Sequence, residues 1–332
     1  MALTGESAFL SAIRSYLPDK IITNEELAHD FGGWSAAQIH SKLGIGSRRV
    51  VSTNECSSDL GVRAAQKLFD DGVVRPSEID FLLFCTQSPD YILPTTACLI
   101  QDRLGLSTTC GALDFNLGCS GFIYGLSLAK GLIESQIAHT VLLITAETYS
   151  KFLSPGDQST RTVFGDGASA TVVVGREREA TGIGPFVFGT DGKGGENIMV
   201  KIGGARYPGS FLDTPLHMNG SEVLNFTLRE IPVCLHSLYK KADLKQDDID
   251  FFVFHQANKF ILELLRKKLK ISAEKYCVNL ELTGNTVSST IPIALESSIN
   301  SGVVGCGSLI ALVGFGVGYS WGAVIVKLED WR

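Results

Sequence analysis

The 332-residue chain has no long uninterrupted apolar segment and little charge of either sign. A membrane-spanning helix needs about 20 consecutive apolar residues, and no such run occurs. The N-terminal segment MALTGESAFLSAIRSYLP also lacks the basic stretch and the apolar stretch of a secretory signal. The formal net charge of −6 argues against a general binder of nucleic acid or anionic membrane. We therefore expect a soluble cytoplasmic protein with neither of these partners.

Paired cysteine motifs and low-complexity segments are absent as well. The eight cysteines form no CxxC pair, and most lie in apolar segments, as reduced core residues do. This pattern argues against a structural disulfide and against a metal site. The 35 glycines outnumber the 10 prolines and gather in short motifs such as GDGASA and GFGVGYSWG. Such motifs are typical of close backbone approaches in a packed α/β protein.

The two halves of the chain repeat one pattern. The segments SEIDFLLFCT (77–86) and DDIDFFVFHQ (247–256) share an Ile-Asp-Phe start, and each predicts a buried strand. A helical pattern follows each of them, TACLIQDRLGL in the first half and KFILELLRKKLK in the second. A further strand is then predicted, GALDFNLG before Cys119 and KYCVNLEL before Asn285. The order predicts an α/β fold built from two duplicated halves, 1–175 and 176–332.

Three polar residues follow these apolar runs: Cys119, His255 and Asn285. Equivalent strand ends of duplicated halves approach each other, so we expect Cys119 and Asn285 on opposite sides of one cleft. His255 lies at the carboxyl end of its strand, where ligands gather in α/β sheets. Taken alone, His255 is equally well explained as a core histidine, and Asn285 as a turn residue. Together with a thiol, they predict acyl transfer at sulfur.

Each of these residues has an expected role. The helical spacing in SGFIYGLSLAKGLIES places Cys119 at a helix N-terminus, whose dipole contributes roughly 0.3 to 2 kcal/mol. We therefore expect the pKa of the thiol to fall by about one unit from its usual value near 8.5. His255 and Asn285 are expected to act as neutral donors to an oxyanion or enolate. The strip GFGVG (314–318) either directs the amide of Val317 at the same oxygen or forms a tight packing turn.

These motifs resemble those of the β-ketoacyl-acyl carrier protein synthase III family, within the thiolase-like superfamily. The segments TQSPDYILPTTAC, DFNLGCSGFIYGL, FGDGA, HQAN, GNT and GFGVGYSWG occur in the family's order. The resemblance implies a five-layered αβαβα fold, a homodimer and no bound cofactor. It also implies that Cys119 accepts an acyl group, commonly from acyl-CoA, and that malonyl-acyl carrier protein decarboxylates beside His255 and Asn285. The amides of Cys119 and Val317 would form the oxyanion hole.

The resemblance also indicates which residues contact the substrate. Several of these positions differ from the residues common in the family. Gln158 stands where an arginine commonly stacks on the adenine of CoA, and Trp34 falls early for the matching tryptophan. Lys42 replaces a phosphate-contacting arginine, which keeps the charge but loses the bidentate fork. Leu93 replaces a bulky phenylalanine that closes the primer pocket across the dimer interface, so a larger pocket is predicted. The predicted substrate contacts are Lys42, Leu93, Gln158, Phe164 and Asn258.

A basic patch lies on the predicted helix KFILELLRKKLK, directly after HQAN. Its exposed face would carry Lys259, Arg266, Lys267 and Lys270 in an otherwise acidic protein. A solvated helix face is the alternative explanation. Because acyl carrier protein is acidic in the pathway of this family, we predict that it docks on Lys259, Arg266 and Lys267.

Other functional classes also deserve consideration. Papain-like cysteine proteases order Cys, His and Asn in the same way, but the chain lacks their CGSCW-like motif and contains an internal repeat. A non-catalytic partner subunit would usually have lost the nucleophile. A thiolase-like acyltransferase or condensing enzyme of secondary metabolism, with a non-standard acyl donor or acceptor, remains open at this point.

Overall fold

The computed structural model describes residues 5–177, 182–210, 215–329 and 331. Their backbone forms two main β-sheets, with helices between and outside the sheets. Within these ranges, no helix combines the length and the apolar character needed to cross a lipid bilayer. The mixture of helices and sheets confirms the predicted α/β class.

The first main sheet has five strands. β4 (Phe81–Cys85) runs parallel to β5 (Gly111–Phe115) on one side and to β6 (Thr140–Glu147) on the other. β7 (Gly167–Glu177) is antiparallel to β6, and β1 (Glu6–Tyr16) is antiparallel to β7. β6 is buried at every position, as expected for a strand with helices on both faces. β5 forms one edge of the sheet.

The second main sheet repeats four of these five strands. β11 (Phe251–Phe254) is parallel to β12 (Leu309–Gly316), and β13 (Ser320–Lys327) is antiparallel to β12. β8 (Ile183–Thr190) completes the sheet antiparallel to β13. The order β11, β12, β13, β8 therefore reproduces the directions of β4, β6, β7 and β1. This match supports the duplication predicted from the sequence.

The longer helices form three layers around the two sheets. One pair packs between the sheets, a second pair covers the outer face of the first sheet, and a third lies on the outer side of the second sheet. These pairs are, in that order, α5 (Gly121–Glu134) with α9 (Thr290–Asn300), α3 (Ser57–Asp70) with α4 (Thr96–Arg103), and α7 (Gly220–Ala242) with α8 (Lys259–Leu269). The result is the five-layered αβαβα arrangement that the resemblance implied.

Smaller elements surround the ends of the sheets. They are β2 (Lys20–Thr23), β3 (Ser47–Val50), β9 (Ile198–Met199), β10 (His217–Met218), α1 (Asn24–Phe31), α2 (Ala36–Leu43) and α6 (Gln158–Arg161). β2 pairs with β3, and β9 pairs with β10, in two separate two-stranded sheets. The second of these small sheets contributes Ile198 and Met218 to the cavity described below.

The central helix α5 explains how the two sheets are held together. Phe122, Ile123 and Leu126 are fully buried and belong to one apolar cluster with residues of both sheets. A helix enclosed in this way needs apolar residues around its whole circumference, as the sequence of α5 provides. The N-terminus of α5 is therefore fixed between the sheets, and Cys119 lies just before it.

One predicted strand is wrong. The segment KYCVNLEL (275–282) pairs with β11 only through a single bridge between Tyr276 and Phe252. Beyond this bridge the Gln256 side chain replaces the strand ladder: its Oε1 accepts from the Asn279 amide at 2.7 Å. Its Nε2 donates to the Phe254 carbonyl oxygen at 2.6 Å. The buried glutamine satisfies the backbone there, so the apolar run continues as an irregular segment toward Asn285.

Candidate active site

Cys119 lies in the turn between β5 and α5, and its side chain is buried. The backbone amides of Val317 and of Cys119 itself are directed at the sulfur and favour its thiolate form, which acts to lower the pKa of the thiol. A Cβ atom at Gly316 would lie 2.8 Å from the Cys119 Sγ, so only glycine allows the β12 end to approach the thiol so closely. Two amide donors therefore converge beside the sulfur, as an oxyanion hole requires.

The expected lowering of the Cys119 pKa is wrong. Burial raises the pKa of the thiol to about 12, and the nearby Glu147 carboxylate adds to this effect. The helix starts two residues later, at Gly121, and its dipole is worth at most about 2 kcal/mol. Desolvation of the thiolate outweighs this contribution. Cys119 is therefore a thiol in the resting protein at neutral pH.

His255 directly follows β11, and its backbone amide continues the sheet by donating to the Val313 carbonyl oxygen at 2.8 Å. Burial lowers the pKa of the imidazole to about 3, so the ring is neutral at pH 7. The His255 Nδ1 lies 2.7 Å from the Thr290 Oγ1, whose hydroxyl donates to the Val287 carbonyl oxygen. Thr290 consequently accepts from Nδ1 in this arrangement, and Nε2 faces the cavity.

Asn285 follows the irregular segment 275–282 and lies beside His255. Its backbone amide donates to the Val163 carbonyl oxygen at 2.9 Å, and its carbonyl oxygen accepts from Gly165 at 3.0 Å. The side-chain Oδ1 accepts from the Val287 amide at 2.9 Å. These bonds orient the Asn285 Nδ2 toward the His255 Nε2, and leave it available as a donor.

One cavity of about 410 Å³ unites the three predicted catalytic residues. Cys119, His255 and Asn285 all contribute to its wall, together with Val317. Most of its remaining lining is apolar, which keeps water away from the thiol. The other lining residues are Tyr149, Val163, Phe164, Ile198, Met218, Gly220, Ser221, Val223, Leu224, Thr227, Ala257, Asn258, Phe260, Ile261, Phe315 and Gly316.

The predicted substrate contacts fall into two groups. Phe164 and Asn258 line the cavity itself, and Lys42 lines an adjoining surface depression that also includes Asn258. Gln158 lies in α6 and lines neither, and Leu93 is 82% exposed on a loop. The structure therefore brings Phe164, Asn258 and Lys42 to the cavity or its entrance, and places Gln158 and Leu93 away from it within one chain.

Trp34 was not among the predicted contacts, yet it lines the entrance depression. The Lys42 Nζ lies 3.8 Å from the centroid of the Trp34 ring, a cation–π contact. Helix α2 brings the two residues together, since it begins just after Trp34 and ends just after Lys42. In the sequence, the signal for this site is a tryptophan directly before a capped helix that has a lysine in its last turn.

The predicted docking residues lie on α8, beside this entrance. Lys259 lines the depression, and the exposed Lys267 lies two turns further along the helix. Arg266 is less available, because its guanidinium pairs with Glu263 at 2.9 Å and donates to the Ile271 carbonyl oxygen at 3.1 Å. The basic face is thus made mainly of lysines.

The cysteines and acidic residues form no further centre in the described part of the chain. All eight cysteines are free. In the described part of the chain, no three His, Cys, Asp or Glu side chains are grouped so that they could hold a metal ion.

Comparisons with known proteins agree with this geometry. The chain matches the family model for 3-oxoacyl-[acyl-carrier-protein] synthase III over residues 113–192, and the model for its C-terminal part over residues 239–328. It is 36% identical over 321 residues to the β-ketoacyl-[acyl-carrier-protein] synthase III of Caldanaerobacter subterraneus, covering 94% of this chain and 95% of that protein.

Solved structures give the same result. A crystal structure of a 3-oxoacyl-(acyl-carrier-protein) synthase III superposes with a TM-score of 0.95 at 48% identity, covering 97% of this chain and all of that one. The β-ketoacyl-[acyl-carrier-protein] synthase III of Thermus thermophilus gives 0.90 at 34% identity, covering 97% of this chain and 99% of that one. The chain therefore belongs to the 3-oxoacyl-[acyl-carrier-protein] synthase III family.

Proposed function

We propose that the protein is a β-ketoacyl-acyl carrier protein synthase III, an acyltransferase that starts fatty acid chains or related products. It moves an acyl group from a thioester, most simply acyl-CoA, to Cys119 and condenses it with malonyl-acyl carrier protein. The observation that carries this proposal is the convergence of Cys119, His255 and Asn285 on one apolar cavity, with two backbone amides at the sulfur.

The first half-reaction forms the acyl-enzyme. The sulfur of Cys119 attacks the thioester carbonyl carbon, and the amides of Cys119 and Val317 stabilise the oxyanion. The thiol keeps its proton in the resting state, so the proton leaves as the carbon–sulfur bond forms. The neutral His255 Nε2 faces the cavity, accepts the proton only as this bond forms and returns it to the departing thiolate. The products are S-acyl Cys119 and the free thiol of the donor.

The second half-reaction forms the new carbon–carbon bond. The malonyl thioester loses CO₂, and the resulting enolate attacks the acyl carbon, which expels the Cys119 thiolate. Asn285 Nδ2 donates to the enolate oxygen, and His255 donates from Nε2 once its ring proton has moved there. Thr290 supports either ring form, because a hydroxyl can accept from Nδ1 or donate to it. One proton restores the thiol, and 3-oxoacyl-acyl carrier protein leaves.

The partners follow from the entrance of the cavity. Lys42 and Lys259 line the depression at the entrance, where a phosphate of CoA or of a carrier-bound arm would bind. Lys259 and Lys267, with a smaller part for Arg266, are proposed to receive the acidic carrier protein. The reaction needs no further cofactor, and a cytoplasmic location would give access to both thioesters.

A homodimer is part of the proposal. β5 is an edge strand whose Leu113 is 45% exposed, and the nearby loop exposes Ile92 and Leu93. An unpaired strand edge next to exposed apolar side chains is typical of a surface covered by another chain. Leu93 would then contact the primer site of the partner subunit. We also propose residues 1–175 and 176–332 as the two structural halves.

Intact-mass spectrometry provides the direct test. The protein is mixed first with acetyl-CoA and then with malonyl-acyl carrier protein. We expect an acetyl adduct on Cys119 that disappears as 3-oxobutanoyl-acyl carrier protein forms. An adduct that persists in the presence of the malonyl donor would instead favour an acyltransferase with another acceptor.

A further inference from the structure

A short turn, Val287–Ser289, comes shortly after Asn285 at the wall of the active-site cavity. Val287 in this turn has a φ of +55°, a left-handed conformation that is strained for a β-branched side chain. The side chain of Val287 is also fully buried. A strained backbone of this kind persists only where the surrounding structure holds it, and such positions are common at active sites. The turn therefore depends on bonds to its surroundings.

The backbone of Val287 supports both helper residues. Its amide donates to the Asn285 Oδ1 at 2.9 Å, which leaves the Asn285 Nδ2 as the free donor. Its carbonyl oxygen accepts from the Thr290 Oγ1 at 3.0 Å, and that hydroxyl lies 2.7 Å from the His255 Nδ1. A shift of this one residue would consequently misalign the donor of Asn285 and weaken the support of His255.

Two buried serines fasten the turn to strand β6 of the first sheet. The Ser289 Oγ donates to the Thr145 carbonyl oxygen at 3.0 Å, a backbone partner that any residue would supply. The Ser288 Oγ donates to the Glu147 Oε1 at 2.8 Å, a partner that depends on the side chain at position 147. Ser288 and Glu147 are both fully buried. The second anchor is therefore specific to the carboxyl group of Glu147.

Glu147 is itself held from a second side. Its Oε2 accepts from the Gln87 amide at 3.0 Å and from the Ser88 Oγ at 3.2 Å, both in the loop after β4. A carboxyl group offers one oxygen to each side, which an apolar side chain of the same length cannot do. Glu147 does not line the cavity, so it makes no direct contact with a substrate there. Its effect on the helper residues passes through the turn.

The protonation state of Glu147 suits this position. Burial raises its pKa to about 8, so the carboxyl is neutral at pH 7. A neutral carboxyl does not repel the enolate that forms nearby, whereas a carboxylate would. The bond to Ser288 is kept in either state, because a hydroxyl can donate or accept. Glu147 therefore fastens the turn at neutral pH without adding negative charge beside the site.

We propose that Glu147 is a positioning residue for condensation: through Ser288 it holds the strained turn at Val287 and so aligns the two helper side chains. This inference rests on the proposed function and adds a residue to it. Acylation should depend less on this anchor. The backbone of His255 is tied separately to the second sheet, through its amide and the Val313 carbonyl oxygen at 2.8 Å, and Cys119 lies outside the turn.

The test measures the two half-reactions separately in variants of the anchor. Ser288→Ala removes the bond to Glu147 and should slow condensation about tenfold, the scale of a small misplacement of a catalytic group. Acylation of Cys119 by acetyl-CoA, followed by intact mass, should stay close to the native rate. Glu147→Met keeps the chain length without the oxygens and should cause a similar loss. Glu147→Gln should retain most of the native rate, because its amide bonds the Ser288 hydroxyl in either orientation.

Two further measurements isolate the anchor. The double variant Ser288→Ala with Glu147→Met should lose no more than Glu147→Met alone, because both changes break the same bond. In a Cys119→Ala background, Ser288→Ala should slow CO₂ release from malonyl-acyl carrier protein about tenfold, since this step needs the helper residues but not the thiol. Ser298→Ala is the matched control. It changes a buried serine of α9 whose hydroxyl donates to the Ala294 carbonyl oxygen, and it should keep the native rates.

Several outcomes would overturn the positioning role. These are native condensation in folded Ser288→Ala, equal loss of acylation and condensation, losses that add in the double variant, or a Glu147→Gln variant as slow as Glu147→Met. Thermal melting verifies that each variant is folded, and if Glu147→Met does not fold, Ser288→Ala against Ser298→Ala decides. If the native protein completes both half-reactions and the anchor variants match it, only the positioning role is wrong. If acetyl-CoA does not acylate the folded native protein, the proposed function itself fails.

Discussion

The Asn285 Nδ2 and the His255 Nε2 lie 3.5 Å apart at one wall of the cavity that contains Cys119. The Asn285 Oδ1 is occupied by the Val287 amide, so the carboxamide presents its donor face to the cavity. A carbonyl oxygen placed between these two nitrogens would be polarised from both sides once the ring proton of His255 lies on Nε2. In the proposed mechanism Asn285 serves condensation only, whereas Cys119 carries the acyl group.

Asn285→Asp should separate the two half-reactions. The substitution keeps the shape of the side chain but replaces the donor by a carboxylate, which repels an enolate oxygen. We expect condensation with malonyl-acyl carrier protein to fall by about 10² to 10³, the cost of losing one such donor. Acylation by acetyl-CoA should change only a few-fold. The exposed Asn300→Asp is the matched control, and an equal loss of both steps in Asn285→Asp would contradict this division of roles.

Cys119→Ala should leave malonyl decarboxylation in place. His255 and Asn285 do not need the sulfur to stabilise the enolate, so CO₂ release from malonyl-acyl carrier protein should continue without primer. No acyl adduct should form. Cys234→Ala, a change at a thiol buried in the core beside the second sheet, should retain the adduct. Absence of CO₂ release from folded Cys119→Ala would show that decarboxylation depends on the acyl-enzyme.

Glu147→Gln should make Cys119 more reactive at high pH. The Glu147 carboxyl accepts from Ser288 at 2.8 Å and from the Gln87 amide at 3.0 Å, and burial raises its pKa to about 8. Its charge above that pH raises the pKa of Cys119 further. We expect the variant to be alkylated by iodoacetamide several-fold faster near pH 9.5. Glu296→Gln changes a buried carboxyl elsewhere and should leave the pH profile of the alkylation rate unchanged. If Glu147→Gln also keeps the native pH profile, the charge of Glu147 does not influence Cys119.

The same carboxyl predicts how stability depends on pH. The folded pKa of Glu147 is about 8, against an unfolded value of 4.5, so the folded state retains a proton that the unfolded state loses in this window. Its contribution to stability is complete below pH 4.5 and is lost as the pH rises through 8.

His255 changes the stability in the opposite direction. Its folded pKa of about 3 lies below the unfolded value of 6.5, so its contribution to stability grows as the pH rises and is nearly complete above pH 6.5. Between pH 6.5 and 8 the free energy of unfolding should therefore fall by roughly 1 kcal/mol. Urea titrations across this range should show the decrease in the native protein and a flatter profile in Glu147→Gln. A native profile without a decrease would exclude the raised pKa.

Charge reversal on α8 should weaken use of the carrier protein. We expect Lys259→Glu with Lys267→Glu to raise the KM for malonyl-acyl carrier protein about tenfold, since surface charges mainly set the rate of encounter. Arg266→Glu should have a smaller effect, because its guanidinium already pairs with Glu263. Lys240→Glu, near the far end of α7, is the control. The increase in KM should be smaller at high salt concentration. A KM that does not depend on the salt concentration would argue against docking at this surface.

The sequence was sufficient for the parts of the site that depend on local pattern. Cys119 and His255 follow strands whose apolar runs are visible in the chain, and the repeat of those runs gave a reason to place Asn285 opposite Cys119. The pKa of Cys119 was predicted in the wrong direction, because the depth of its burial depends on how both sheets enclose α5. The irregular segment 275–282 escaped prediction because Gln256 replaces the strand ladder there.

The hydrogen bond from Ser288 to Glu147 joins the segment that carries Asn285 to the end of a first-sheet strand. A bridge between Phe164 and Asn285 makes a second link of this kind. Cys119 thus follows a strand of one sheet, His255 follows a strand of the other, and the segment around Asn285 is bonded to both sides. Catalytic turnover therefore requires that the two sheets stay packed on each other. Activity should disappear in a partly opened state, even if both sheets remain folded.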